Sequence, residues 1–166
     1  NALRYLIDAA RIVKSEMHIH FIIVGKGDQL DTLRELSVDL PNVHFLPPVE
    51  KQLFLAMIKK FSLCYIGLER ESLFRFGVSP NKLFDYMLAK RPILYAIDSG
   101  NKPVAEAGCG WSVDAGNSPQ IANAILEAAH TNALDLDELG LNGYRFVIEH
   151  HGYGQLAKRL VSWIDQ

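Results

Sequence analysis

The chain has 166 residues and a formal net charge of −2, with 49% hydrophobic and 22% charged residues. This is the composition of a soluble globular protein with room for one domain and a substantial core. The charge balance argues against a nucleic-acid binder, which presents a basic face, and no apolar run approaches the roughly 20 residues that span a bilayer.

The two cysteines, Cys64 and Cys109, are well separated and read as reduced structural thiols rather than a disulfide framework or metal site. No signal-peptide pattern is visible. The chain opens at Asn1 directly in a helical pattern, and the expectation is a piece of a longer protein.

In chain order, residues 2–14 carry Leu3, Leu6, Ile7, Ala10 and Val13 at helical spacing. Ile19 to Val24 form a near-continuous apolar run, which predicts a strand buried on both faces. Gly25-Lys26-Gly27-Asp28 then turns into a helix over 28–38. Asn42 to Leu46 predicts the second strand, and PPVEK leads into a helix over 51–60. Residues 62–67 give the third strand and LERESLFRFGV a polar loop.

The next helix has Ser79 as its expected N-cap and Pro80 at its first position. Leu83, Phe84, Met87 and Leu88 form its apolar stripe, and Pro92 ends it. A buried strand at 93–97, a short helix near 102–107 and a strand at 110–113 follow. Helices over 118–131, 136–149 and 154–164 finish the chain. Strand and helix alternating through short links predict one doubly wound α/β domain over 1–166, with a parallel sheet. Such sheets bind ligands at the carboxyl ends of their strands.

Lys82 raises the functional question. A cation in the first turn opposes the helix dipole by about 0.3–1 kcal/mol, and the same turn offers free N–H groups to an anion. A phosphate there would reconcile the two. Asp85, three residues on, has two acceptor oxygens for neighbouring hydroxyls such as those of a ribose. The alternative is an exposed Lys82–Asp85 pair of little worth. These residues alone favour the exposed pair slightly, and the place of the helix at the carboxyl edge of the sheet shifts the weight toward a nucleotide.

The other motifs are weaker. In the GKGD turn Leu30 stands where a dinucleotide fingerprint needs its third glycine, which argues against a nicotinamide or flavin site. A tight turn capped by Asp28 and a ligand role remain equal readings of it. His18, His20 and His44 read as core or edge histidines, and His150 and His151 as residues of a helix end. No hydrolase elbow, zinc-protease motif or phosphate-binding loop is present.

The segments NALRYLIDAA, FIIVGKGDQLDTL, NVHFLPPV, SPNKLFDYMLAKRPIL, VAEAGCGWSV and NGYRFVIEHHGYGQLAKRL occur in this order along nearly the whole chain. In order and spacing the chain resembles the carboxy-terminal, donor-binding domain of retaining GT-B glycosyltransferases, the large family four. Its SPNKLFDYM form is most similar to enzymes that build bacterial surface polysaccharides.

The resemblance implies a Rossmann-like half of a two-domain transferase that binds a nucleotide-sugar donor, usually a UDP-sugar. By position, Asp85 would hold the ribose. Ser79, Asn81, Lys82, Gly25 and Gly27 would hold the diphosphate, and Pro48 and Val49 would lie by the nucleobase. It implies no metal, no further cofactor and no catalytic residue within this chain. The acceptor, a glycan or lipid-linked sugar, would be held by an amino-terminal domain. The setting implied is cytoplasmic, at the inner face of the membrane, with peripheral membrane contact in the parent protein. The alternatives are a nucleotide-binding module without chemistry and half of a nucleotide-sugar epimerase.

Three positions depart from the family pattern. Gly77 replaces the first acid of its E-x7-E motif, Asp85 replaces the usual glutamate, and Lys90 stands where glycine often closes the helix. A left-handed Lys90 would cost about 1 kcal/mol or more relative to glycine. The family's first, central strand would precede Asn1, so the expectation is five strands in a sheet interrupted at its middle.

Overall fold

The computed structural model of the protein describes residues 2–151 and Val161. The helix expected over 154–164 falls, Val161 apart, outside them. The elements run α1 (Leu3–Ile12), β1 (Phe21–Val24), α2 (Leu30–Leu36), β2 (Val43–Leu46), α3 (Lys51–Ile58) and β3 (Cys64–Gly67). A 3-10 turn (Ser72–Phe76) precedes α4 (Asn81–Leu88), β4 (Ile93–Ala96), α5 (Pro103–Ala107) and β5 (Gly110–Val113). Helices α6 (Ser118–His130) and α7 (Ala133–His151) follow.

The five strands form two parallel sheets, β1-β2 and β3-β4-β5. Phe21 lies opposite Val43 in the first. In the second, Ile93 lies between Cys64 and Gly110. The interruption expected in the sheet thus takes the form of a division into a two-stranded and a three-stranded sheet.

Strand β4 shows how the layers are made. All four of its residues are buried, and burying each large apolar side chain is worth roughly 1.5–3 kcal/mol. Leu94 and Ala96 face one core, shared with Leu6, Ile7 and Ala10 of α1 and Ile121 and Ile125 of α6. Phe21 and Ile23 of β1 enter that same core, so it spans both sheets. Ile93 and Tyr95 face the opposite core, with Leu83 and Met87 of α4, Val104, Cys109 and Val147 of α7. Alternation along the strand therefore feeds helices on both faces.

Burial on both faces does not extend to β1. Ile22 is 37% exposed, and His44 and Leu46 on β2 are also exposed. The reason lies in α3, whose Phe54, Leu55 and Ile58 pack beside Cys64, Phe61, Tyr86 and Ala89. That packing serves the three-stranded sheet and leaves one face of β1-β2 open.

Asp28 does not cap α2. The turn from the Leu30 N–H to the Gly27 carbonyl delays the helix, so Gln29 precedes it without a side-chain cap. Helix α7 starts three residues earlier than its apolar pattern predicts, at Ala133. There the Asn132 side chain accepts from the Asp135 N–H at 3.0 Å.

Candidate functional site

Helix α4 is anchored by Leu83 and Met87, which are buried against β4 and α7. Leu88, expected in the same stripe, is 47% exposed, so the buried face is narrower than the sequence pattern. Anchoring from one side leaves the amino-terminal tip at the surface. Ser79, Asn81 and Lys82 are exposed and Asp85 is half-buried.

Ser79 does not cap this helix. Pro80 occupies the capping position, extended at φ −67° and ψ 128°, and no side chain bonds to the first turn. Pro80 has no side-chain acceptor to offer, and its extended backbone places Ser79 one residue too far out. The first backbone bond of the turn runs from the Leu83 N–H to the Pro80 carbonyl. Among the described residues the N–H groups of Asn81 and Lys82 find no partner, as at an uncapped helix start. Among the described residues neither Lys82 nor Asp85 forms an ion pair, so the alternative Lys82–Asp85 pair is not made.

The loop after β4 holds this tip from below. Asn101 accepts from the Val78 N–H at 2.9 Å and donates to the Val78 carbonyl at 3.0 Å. The Gly100 N–H donates to the Phe74 carbonyl at 2.9 Å. Asp98 accepts from Arg70 Nε at 2.8 Å and from the Ala115 N–H at 2.9 Å. Asp98 and Asn101 do not stand out in the sequence, because their segment looks like an ordinary link between a strand and a helix. The usable signal is a short run of turn-forming polar residues directly after a fully apolar strand.

At the other end of α4, Lys90 is left-handed with φ 56°, as its place at the helix close implied. Its ammonium lies 4.6 Å from the ring centre of Tyr144. Burial pushes the Tyr86 hydroxyl above its ordinary range, with Cys64 and Asp85 adding to the shift.

The remaining expected residues sit on the first sheet. Gly25 extends the β1-β2 ladder by donating to the Leu46 carbonyl at 3.1 Å, with φ 138°. A Cβ at Gly25 or Gly27 would meet no atom within 4 Å, so space above this turn is open. Pro48 is exposed and Val49 half-buried just past β2. The structure thus gathers Asn81, Lys82 and Asp85 on one helix with Ser79 on the turn before it, and Gly25, Gly27, Pro48 and Val49 on the loops that follow β1 and β2. Both groups lie past the carboxyl ends of their strands. No hydrogen bond joins them among the described residues.

A cavity of about 410 Å³ lies elsewhere, lined by Tyr5, Glu69, Arg70, Ala115, Gly116, Asn117 and Pro119. None of the expected site residues lines it.

His20 Nδ1 and His44 Nε2 are 3.1 Å apart on the open face of β1-β2. His150 and His151 pack near Phe146, with ring centres 4.8 and 5.8 Å away, at the end of α7. Among the described residues no group of three or more His, Cys, Asp or Glu is placed to hold a metal ion. No helix among them is long and apolar enough to cross a membrane. Cys64 and Cys109 are free and buried, and burial pushes both thiols up to about 12.

Parallel strands, helices on both faces and loops gathered at the carboxyl edge define a Rossmann-like α/β domain, consistent with one half of a GT-B fold. The sequence profile of the group 1 glycosyl transferases matches residues 1–131, and the chain belongs to that family. Glycosyl transfer, with a sugar donor and an acceptor, is the activity class this membership carries. No curated protein matches the chain.

Proposed function

We propose that the chain is the donor-binding half of a glycosyltransferase that moves a sugar from a nucleotide-sugar, with UDP as the leading nucleotide, to a glycan or lipid-linked acceptor with retention. The observation that carries this reading is the tip of α4. Among the described residues two backbone N–H groups find no partner there, Lys82 beside them makes no ion pair, and Asp85 follows one turn on. Lys82 and the tip would take the diphosphate, aided by Ser79, Asn81, Gly25 and Gly27. Asp85 would accept from the ribose hydroxyls, and Pro48 and Val49 would border the base.

As the bond to the sugar breaks, negative charge grows on the departing diphosphate. Fixed N–H donors and an ammonium stabilise that charge without reorganising. The departing phosphate can itself take the acceptor's proton, so this half needs no general base. An amino-terminal domain would close the open surface and carry the acceptor. The reading places the parent protein in the cytoplasm, at the inner face of the membrane that presents lipid-linked acceptors.

Gly77 favours a second reading, a nucleotide-binding module without transfer. Its backbone, φ 102° and ψ 157°, is one that a glutamate in the family's first acid position would not readily adopt.

Titration calorimetry of the full-length protein with UDP, GDP and ADP tests the site. One of them binds, and Asp85→Ala weakens that ribonucleotide about tenfold while its 2′-deoxy form loses less, as expected for a charged hydrogen bond to a hydroxyl. Equal losses for both forms would remove the ribose assignment. Turnover with a panel of nucleotide sugars separates transferase from module.

A further inference from the structure

We infer that Asn101 is a positioning residue for diphosphate recognition, locking the turn that aims the free N–H groups of α4. The inference rests on the diphosphate reading of that helix tip. Asn101 itself lies on the loop after β4, below the tip, and is not among the residues assigned to the donor.

One side chain satisfies both polar groups of one residue. Asn101 Oδ1 accepts from the Val78 N–H at 2.9 Å and Nδ2 donates to the Val78 carbonyl at 3.0 Å. A primary amide carries a donor and an acceptor side by side, which neither a carboxylate nor a lysine does. Val78 is two residues before Pro80, so fixing its peptide groups constrains the entry to the helix. The tip has no cap of its own. Its orientation therefore depends on what holds the preceding turn.

The loop carrying Asn101 is itself braced. Ser99 Oγ donates to the Asn101 carbonyl at 2.6 Å and lies 3.4 Å from the Tyr95 hydroxyl. Gly100 packs so closely beneath the 3-10 turn that an added Cβ would lie 2.1 Å from the Arg75 carbonyl oxygen. The β4 loop and the turn thus hold each other, and Asn101 carries that rigidity to the helix tip. A preorganised tip spares the ligand the cost of ordering it.

The test uses the full-length protein and the tightest-binding of UDP, GDP and ADP, each compared with its own nucleoside. The readout is the affinity gained by adding the diphosphate. Asn101→Ala is expected to cut this gain about tenfold, the effect of one or two lost ordering contacts. Nucleoside affinity is expected to stay within about twofold, and amide exchange at Val78 to quicken. Asn101→Asp keeps an acceptor for the Val78 N–H but turns a carboxylate toward its carbonyl. It is expected to lose the diphosphate gain as well, but its new charge also repels a diphosphate. If the alanine variant does not fold, the matter is therefore decided by Asn101→Ser, which adds no charge and is expected to show the same loss with quickened exchange at Val78.

Lys82→Ala separates the two levels. If Lys82→Ala loses the diphosphate gain while the Asn101 variants keep it, the positioning role is overturned and the diphosphate site stands. Equal losses for nucleotide and nucleoside in the Asn101 variants would also overturn it, because a merely structural role predicts that. If the unaltered protein shows no diphosphate gain, the site reading falls and the positioning role with it.

Discussion

Gly77 and Asn101 divide one small space between them. A Cβ built on Gly77 would lie 3.3 Å from Asn101 Oδ1, and Gly77 has φ 102°, where side-chain-bearing residues are strained. The position that carries an acid in the family pattern is thus tied, through Asn101, to the turn before α4.

Gly77→Glu is therefore expected to destabilise the protein rather than restore a missing contact. The backbone strain is worth about 1–3 kcal/mol. Gly77→Ala should lose a similar amount, because the cost lies in the backbone and the first carbon. Urea denaturation of the two variants checks this, and an unchanged midpoint for Gly77→Ala would refute the strain.

Lys90 sets two effects against each other. Its left-handed backbone costs about 1–2 kcal/mol, and its ammonium over Tyr144 returns about 0.5–1 kcal/mol. Lys90→Gly also gains unfolded-state freedom, so it should stay within about 1 kcal/mol of the parent. A double-mutant cycle with Tyr144→Ala isolates the contact, with an expected coupling of about 0.5–1 kcal/mol.

Gly140 brings α7 against the end of α4. A Cβ there would lie 2.2 Å from the Lys90 carbonyl oxygen. Alanine is the better helix former by about 1 kcal/mol, but backbone cannot yield as a side chain does. Gly140→Ala is expected to destabilise by about 1–3 kcal/mol, as overpacking does. Thermal unfolding reads the sign directly.

The thiols give a pH dependence. Cys64 and Cys109 are pushed from an ordinary 9.0 up to about 12 by burial. Their contribution is fully present below about 9 and is lost as pH rises toward about 12, because the unfolded thiols ionise first. Stability should fall over that window. Folded protein at pH 8 should resist iodoacetamide, with alkylation following unfolding, and mass spectrometry counts the adducts.

Much of the fold was legible because periodicity and punctuation agreed. The apolar runs around Phe21, Val43, Cys64, Ile93 and Gly110 each became a strand, and Pro92 separated α4 from β4 as expected. Capping was less legible. Ser79 has the right chemistry for a cap, but Pro80 takes the position by its backbone, while Asn132 caps a helix whose apolar pattern starts later. The exposure of Ile22 was hidden because it depends on where α3 packs, a long-range choice that no local pattern encodes. Lys82 and Asp85 were visible as a charge pattern at a helix start. Asn101 was not, because its partner lies 23 residues away and is backbone.

The division into two sheets has a mechanical meaning. Within each sheet the strands are tied by ladder hydrogen bonds, whereas among the described residues no ladder joins the two sheets, and Phe21 and Ile23 share one apolar core with Leu94 and Ala96. Local opening can therefore separate the two ladders without breaking a strand pairing in either, and amide exchange would read them as two units of unequal protection.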